Sequence, residues 1–310
     1  MTQALIIAHK DCRDGLAAAW VAKKYINSTD RQADVFFAEY KTEPPWELIK
    51  DRDVYVLDFC YPRSVMDKIE EEAQTLTCLD HHQSNQRDLE GFACAIFDMN
   101  RSGAGLTWDY FYPNQARPWI VDYIEDRDLW WFKLPDSEAI NAYLSTMPLT
   151  MDAISNAWLA GLNGGIETVK AMGYAVLSKT QNYVQEAVKH AIRIDFEGYN
   201  IPVVNAQPTD MSEVLNALAE GEPFAMGWFQ RSDGHFQYSL RSKGGVDVSE
   251  VAKRYEGGGH PKASGFKQEY PFHLDHQEAS PWRQWAFVAL GVTMFWIAVT
   301  VLTKAFSKAF

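Results

Sequence analysis

Short apolar runs punctuate the first hundred positions of the chain: "ALIIAH" (4–9), "DVFFAE" (34–39), "VYVLDF" (54–59), "LTCLDH" (76–81) and "ACAIFD" (93–98). Their apolar residues are contiguous rather than alternating with polar ones, which predicts strands buried on both faces. Amphipathic stretches separate several of them, among them "GLAAAWVAKKYI" (15–26) and "RSVMDKIEEEAQ" after Pro62. Proline has no amide proton to lose in a first helical turn, so Pro62 fits a helix start. Strands alternating with helices predict a parallel sheet and an α/β class.

Residues 136–190 carry helical patterns, and a second set of strand-like runs follows: "AIRIDF" (191–196), "NIPVVNA" (200–206), "PFAMGWFQ" (223–230) and "HFQYSLRS" (235–242). Helical "DMSEVLNALAEG" and "DVSEVAKRY" are interleaved with them, and "EGGGHPKASGF" (256–266) closes the series. The predicted division is a first domain over 1–190, a second, smaller α/β domain over 191–272, and a spacer with a C-terminal hydrophobic helix over 273–310. The segment Trp285–Thr303 holds no charge and lies between Arg283 and Lys304. As a helix it would be roughly 28 Å long, near the roughly 30 Å of a bilayer's hydrocarbon core. A membrane-spanning tail anchor is expected, with a helix buried in a homo-oligomer interface as the alternative.

Chemistry gathers at the predicted strand ends. His9 follows the first run, Asp58 the third, and Asp80-His81-His82 the fourth. Ligands of open α/β sheets bind beyond the carboxyl ends of the strands, so these side chains are expected to share one cleft. Consecutive residues of an extended strand point to opposite faces, so the adjacent histidines imply two different tasks.

Net charge is −12, and no basic stripe of the kind that displaces counterions is visible; a long nucleic acid is therefore not an expected partner. Cys12, Cys60, Cys78 and Cys94 form no C-x-x-C pair, which argues against zinc fingers and a disulfide framework. The opening "MTQALIIAHKDC" has too short an apolar run and no basic start, so no signal peptide is expected. The catalytic part is expected on the cytoplasmic face of a membrane.

Three motifs together, "AHKDCRDGLAAAW", "LDHH" and "GGGHPKASGF", resemble the DHH phosphoesterase family with its DHH-associated C-terminal domain. The resemblance covers about residues 4–268. It implies a metal-dependent hydrolase of phosphoester bonds, with nanoRNases, exonucleases, cyclic-dinucleotide phosphodiesterases and nucleoside-bisphosphate phosphatases among its kind. Mixed carboxylate and imidazole ligands suit two Mn²⁺ ions, with Mg²⁺ also compatible. By resemblance Asp58 is the shared carboxylate, His9 and Asp14 hold one ion and His81 the other. Asp126 matches the last ligand, with Asp128 as the alternative in "EDRD".

Asp80 would orient an imidazole, and His82 would face the phosphate as a catalytic group. Relatives carry a second acid where this chain has Leu16, and a proline where it has Arg13. Asp11 is the expected replacement donor. Gly258 and Gly259, in the loop that also carries Gly257, would bring backbone amides to an anion, and His260 and Arg241 would bind substrate. Ser102 at a predicted helix start either contacts substrate or only caps the helix.

The expected reaction is hydrolysis of a small nucleotide or short oligonucleotide by a metal-activated water. A polyphosphatase or pyrophosphatase is the alternative enzyme. A membrane-tethered nucleotide sensor without turnover is the non-enzymatic alternative.

Overall fold

The computed structural model describes residues 3–39 and 42–271. The expected tail anchor at Trp285–Thr303 lies outside them, and among the described residues no helix is long and apolar enough to cross a membrane.

The first domain is built on five parallel strands, β1 (Ala4–His9), β2 (Ala33–Ala38), β3 (Asp53–Leu57), β4 (Thr75–Asp80) and β5 (Ala95–Phe97), in the order β2-β1-β3-β4-β5. Between them run helices α1 (Arg13–Asn27), α2 (Trp46–Ile49), α3 (Arg63–Glu72) and α4 (Gln83–Asp88). Strand β1 explains why its sequence is apolar throughout. Ala4, Ile6 and Ala8 enter the core beneath α1, while Leu5 and Ile7 enter the opposite core beneath α3. The two-residue period therefore feeds both faces.

Five helices complete the domain: α5 (Gly103–Phe111), α6 (Trp119–Asp128), α7 (Ser137–Ser145), α8 (Met151–Ala160) and α9 (Ile166–Lys189), the last two joined by a π-helical turn at Gly161–Gly165. Leu16 is buried with Ala17–Ala22 in the core under α1, so the position lacking the family's second acid is a packing position here. Helix α9 runs from the first domain to the second.

The second domain holds a six-stranded sheet of order β10-β11-β9-β8-β7-β6, with strands β6 (Ile192–Phe196), β7 (Tyr199–Asn205), β8 (Ala225–Gln230), β9 (Phe236–Arg241), β10 (Gly258–His260) and β11 (Ala263–Gln268). All neighbours are antiparallel except β7 and β8, which are connected through α10 (Met211–Leu218). Helix α10 packs one face and α11 (Val248–Lys253) the other.

The glycine-rich "GGGH" is a strand and not the expected loop. Gly258–His260 pairs with Ala263–Gly265 as an edge hairpin. Gly259 has φ +135°, and a Cβ there would lie 2.6 Å from the Ala263 carbonyl oxygen, so only glycine fits this close pairing.

Candidate metal centre

The sheet order places β2 on one side of β1 and β3 on the other. The chain reverses direction across the sheet there, which opens a crevice at the carboxyl ends of β1 and β3. His9 ends β1 and Asp58 follows β3, and His9 Nδ1 lies 3.5 Å from Asp58 Oδ2. Asp58 has φ +55°, a left-handed conformation that turns its buried carboxylate back into the crevice. Gly103 makes room for it, since a Cβ at that position would collide with Asp58. Gly15 does the same for His9, whose carbonyl oxygen would stand 2.6 Å from an added Cβ.

Asp14 enters from the first turn of α1. Its Oδ2 accepts from the Gly103 amide at 2.5 Å and its Oδ1 from the Ala104 amide at 3.0 Å. The start of α5 is therefore an anion site, as its sequence suggested, but the anion it holds is the protein's own carboxylate. Ser102, expected as a possible substrate contact, is fully buried; its Oγ accepts from the Gly105 amide at 3.1 Å and caps α5.

His81 brings these acids together. Its Nε2 is 3.1 Å from Asp58 Oδ1, 3.8 Å from Asp14 Oδ2 and 3.4 Å from Asp128 Oδ2. Of the two aspartates in "EDRD", Asp128 reaches the cluster. Asp126 turns away, and its carboxylate accepts from the Lys133 amide at 2.9 Å and the Leu134 amide at 3.2 Å, holding the loop after α6. Asp11 does not join the cluster either; it is exposed, with φ +54°. Cys12 comes nearer than Asp11, donating its thiol to Asp58 Oδ2 at 3.4 Å.

Asp80 stands behind the histidines. Its Oδ1 accepts from the His81 amide at 2.7 Å and from His82 Nδ1 at 2.7 Å, and its Oδ2 from Asn85 Nδ2 at 2.6 Å. His82 is thereby fixed with Nδ1 toward Asp80, leaving Nε2 for other work. From the second domain, the His260 ring stacks on His82 with centroids 4.7 Å apart and lies 5.1 Å from the His81 ring. Arg241, at the end of β9, donates from Nη2 to Ser212 Oγ at 2.8 Å, and its charge is felt by Arg127, Glu213 and Asp128 of the same cleft.

The electrostatics fit a cation. Burial, with Asp58 and Asp128 close by, pushes the Asp14 carboxyl well above the usual range. Burial pushes Asp58 the same way, but hydrogen bonds from His81 and His9 outweigh it and hold this carboxyl well below its ordinary value. Burial disfavours a charged His81, yet Asp58, Asp128 and Asp14 raise it to about 10. Three carboxylates thus crowd one imidazole, and His81 Nδ1 is buried without a hydrogen-bond partner. Possible ligand atoms of Asp14, Asp58 and His81 lie within 4.8 Å of one another, as do those of His9, Asp58 and His82. Those of His81, His82 and His260 lie equally close, and the two groups that share Asp58 offer the mixed oxygen and nitrogen donors that suit a divalent ion.

Sequence reasoning left out Asn85, Cys12 and Arg127. Cys12 stood inside a quoted motif, whereas Asn85 carried no signal beyond its place one turn past the histidines. Arg127 meets Glu213 of the second domain at 2.5 Å, a contact that only the docking of the two domains creates.

Comparison with known proteins agrees with this architecture. Residues 199–276 match the DHHA1 domain. The chain is 26% identical to the uncharacterized protein R106 of Acanthamoeba polyphaga mimivirus, over 84% of this chain and 66% of that one. It is 58% identical over 36 residues to the probable bifunctional oligoribonuclease and PAP phosphatase NrnA of Streptococcus mutans, a match of 12% of this chain and 11% of the other. The chain thus spans less than two thirds of either relative's length. Among solved structures, RecJ of Thermus thermophilus in complex with Mn²⁺ superposes with a TM-score of 0.52 at 13% identity, over 89% of this chain and 51% of that chain. The DHHA1 match and the shared fold bear out the resemblance to the DHH family that the motifs carried.

Proposed function

We propose that this chain, a DHH-type fold joined to a DHHA1 domain, is a metal-dependent phosphoesterase acting on small nucleotides or short oligonucleotides. The observation that carries the reading is the meeting of the carboxylate–imidazole cluster with His260 of the second domain. A phosphate at the first domain's cluster would be covered by the second domain's edge hairpin, which favours small molecules and chain ends over internal sites of long polymers.

His9, Asp14, Asp58, His81 and Asp128 would hold divalent ions, Mn²⁺ foremost, which supply charge neutralisation at phosphorus and a nucleophile at neutral pH. The residues around them position and protonate. Burial disfavours the charged form of His82, but Asp80 overrides this and raises it, so His82 can keep a proton on Nε2 for the departing oxygen. Asp80 holds the tautomer while Asn85 holds Asp80. Burial and the two neighbouring imidazoles press His260 down to about 3, so it meets the substrate as a neutral donor and acceptor. Arg241 remains charged at neutral pH, although burial and Arg127 lower it to about 10, and its fork matches a phosphate.

The test is a panel of short oligoribonucleotides, linear and cyclic dinucleotides, nucleoside bisphosphates and polyphosphate, each incubated with the full chain and Mn²⁺. Release of nucleoside monophosphates or inorganic phosphate from the nucleotides is expected. Turnover of polyphosphate alone, or of none of them, would overturn the reading.

A further inference from the structure

The grouping of His81, His82 and His260 differs from the other two in containing no acid. One nitrogen of each ring lies within 4.8 Å of the other two. The His82 and His260 rings stack with centroids 4.7 Å apart, and the His81 centroid is 4.8 Å from His82 and 5.1 Å from His260. His81 and His82 follow β4 of the first domain, whereas His260 ends β10 of the second, so the three rings bridge the domains. Their meeting is supported on both sides. Strand β10 packs against α4, the helix that His82 caps, and Arg87 of α4 pairs with Glu250 of α11 at 3.1 Å.

Two of the rings have a nitrogen to spare. His82 gives Nδ1 to Asp80, which leaves Nε2. His81 turns Nε2 to Asp58, Asp14 and Asp128, and its Nδ1 is buried without a hydrogen-bond partner. A buried polar nitrogen left unpaired costs free energy, and a ligand that accepts its lone pair recovers it. The donor chemistry names the ligand. Oxygen-rich groupings suit Mn²⁺, whereas imidazoles suit Zn²⁺, which three histidines hold with one position left open. Tetrahedral bonds of about 2.0–2.1 Å set nitrogens roughly 3.4 Å apart, so such an ion would draw the β10 hairpin inward without rearranging the fold.

We propose that His81, His82 and His260 form a separate metal site, selective for Zn²⁺ over Mn²⁺, which latches the second domain onto the first and shuts substrate out. His81 would serve this ion through Nδ1 and the acid cluster through Nε2, and its ring proton leaves to solvent as zinc binds. The latch engages the same nitrogens that leaving-group protonation and substrate binding would use. Its meaning as inhibition therefore rests on the phosphoesterase reading, whereas the metal site itself does not.

The first test needs no turnover. The full chain is saturated with Mn²⁺ and titrated with Zn²⁺ by calorimetry, and both metals are then measured in the protein after gel filtration. The first equivalent of Zn²⁺ is expected to bind without releasing Mn²⁺ and to raise the melting temperature. His260→Ala and His82→Ala, one from each domain, should each weaken zinc binding about ten- to a hundredfold or more, at least the worth of an outer partner of a metal ligand. Arg241→Ala should keep the zinc affinity, since a guanidinium offers no lone pair. Melting temperatures without zinc serve as the folding control. Release of Mn²⁺ mole for mole by the first zinc, or wild-type zinc affinity in both histidine variants, overturns the proposal.

The second test follows hydrolysis with saturating Mn²⁺. Zinc at ten times its dissociation constant should raise the apparent KM about tenfold and leave kcat unchanged, as mass action requires of a ligand that excludes substrate. An unchanged KM with the site filled overturns the latch. If the chain hydrolyses none of the phosphoesters, the phosphoesterase reading fails, and the first test still decides whether the zinc site exists.

Discussion

The carboxylates of the first domain are held from many sides, whereas the polar groups that the second domain brings to the cleft are held from few. Asp14 is fixed by the amides of Gly103 and Ala104, and Asp80 by His81, His82 and Asn85. Two glycines, Gly15 and Gly103, let the backbone approach His9 and Asp58 more closely than any side chain would permit. Opposite them, His260 ends a three-residue edge strand and meets the first domain through its ring, and Arg241 hangs on one serine hydroxyl and its neighbour's carbonyl. Rigid walls suit metal ligands, whose geometry must be set before substrate arrives. A lightly held clamp suits recognition, where the partner supplies the missing bonds.

The largest effect is expected where that rigidity is greatest. Asp58→Ala removes the one acid that two of the groups of possible metal ligands share, and several kcal/mol of charge stabilisation would go with it, so turnover should fall on the order of a thousandfold. Activity within tenfold of wild type at saturating Mn²⁺ would break the contrast between the two walls.

Next come the clamp residues. His260→Ala and Arg241→Ala should raise KM about ten- to a hundredfold, the loss of roughly 1.5–3 kcal/mol per charged contact, while bound Mn²⁺ stays constant. If metal analysis shows loss of Mn²⁺ in either variant, the second domain is part of the cradle and the contrast fails.

Asp128→Asn and Asp126→Asn sharpen the boundary of the cradle. The first is expected to weaken Mn²⁺ binding about tenfold or more with little change in melting temperature. The second should keep its metal but lose about 1–2 kcal/mol of stability, because the amides of Lys133 and Leu134 lose their acceptor. The reverse pattern in isothermal titration and thermal melts would return the ligand role to Asp126.

The smallest effect is expected at the ion pair between the domains. Arg127 and Glu213 are each about a third exposed, so Glu213→Gln should cost under about 1 kcal/mol of stability. A much larger fall in the urea midpoint would mean that the clamp is bound to the cradle as tightly as the cradle is to itself.

How far the sequence disclosed all this follows from which contacts are local. Strands β1 and β4 were legible because an apolar run ending in His9 or in Asp80-His81-His82 states both burial and direction. The choice between Asp126 and Asp128 was not, because two positions on a helix differ by about 200° and nothing local says which side faces the cleft. Ser102 read equally as helix cap or substrate contact, and its burial and its bond to the Gly105 amide, which show the cap, depend on surroundings that the local sequence does not state. The glycines of "GGGH" signalled a loop, but their pairing with β11 depends on a partner strand whose register the glycines themselves do not encode.

Helix α9 carries a consequence of a different kind. Because it joins the two domains within one chain, cradle and clamp meet by a unimolecular step, and their encounter does not depend on protein concentration. Specific activity should therefore hold constant as the enzyme is diluted. A cleft completed by a second copy would lose activity in proportion once the copies parted. On the phosphoesterase reading, the covalent link would make catalytic competence a property of each molecule, independent of how crowded its surroundings are.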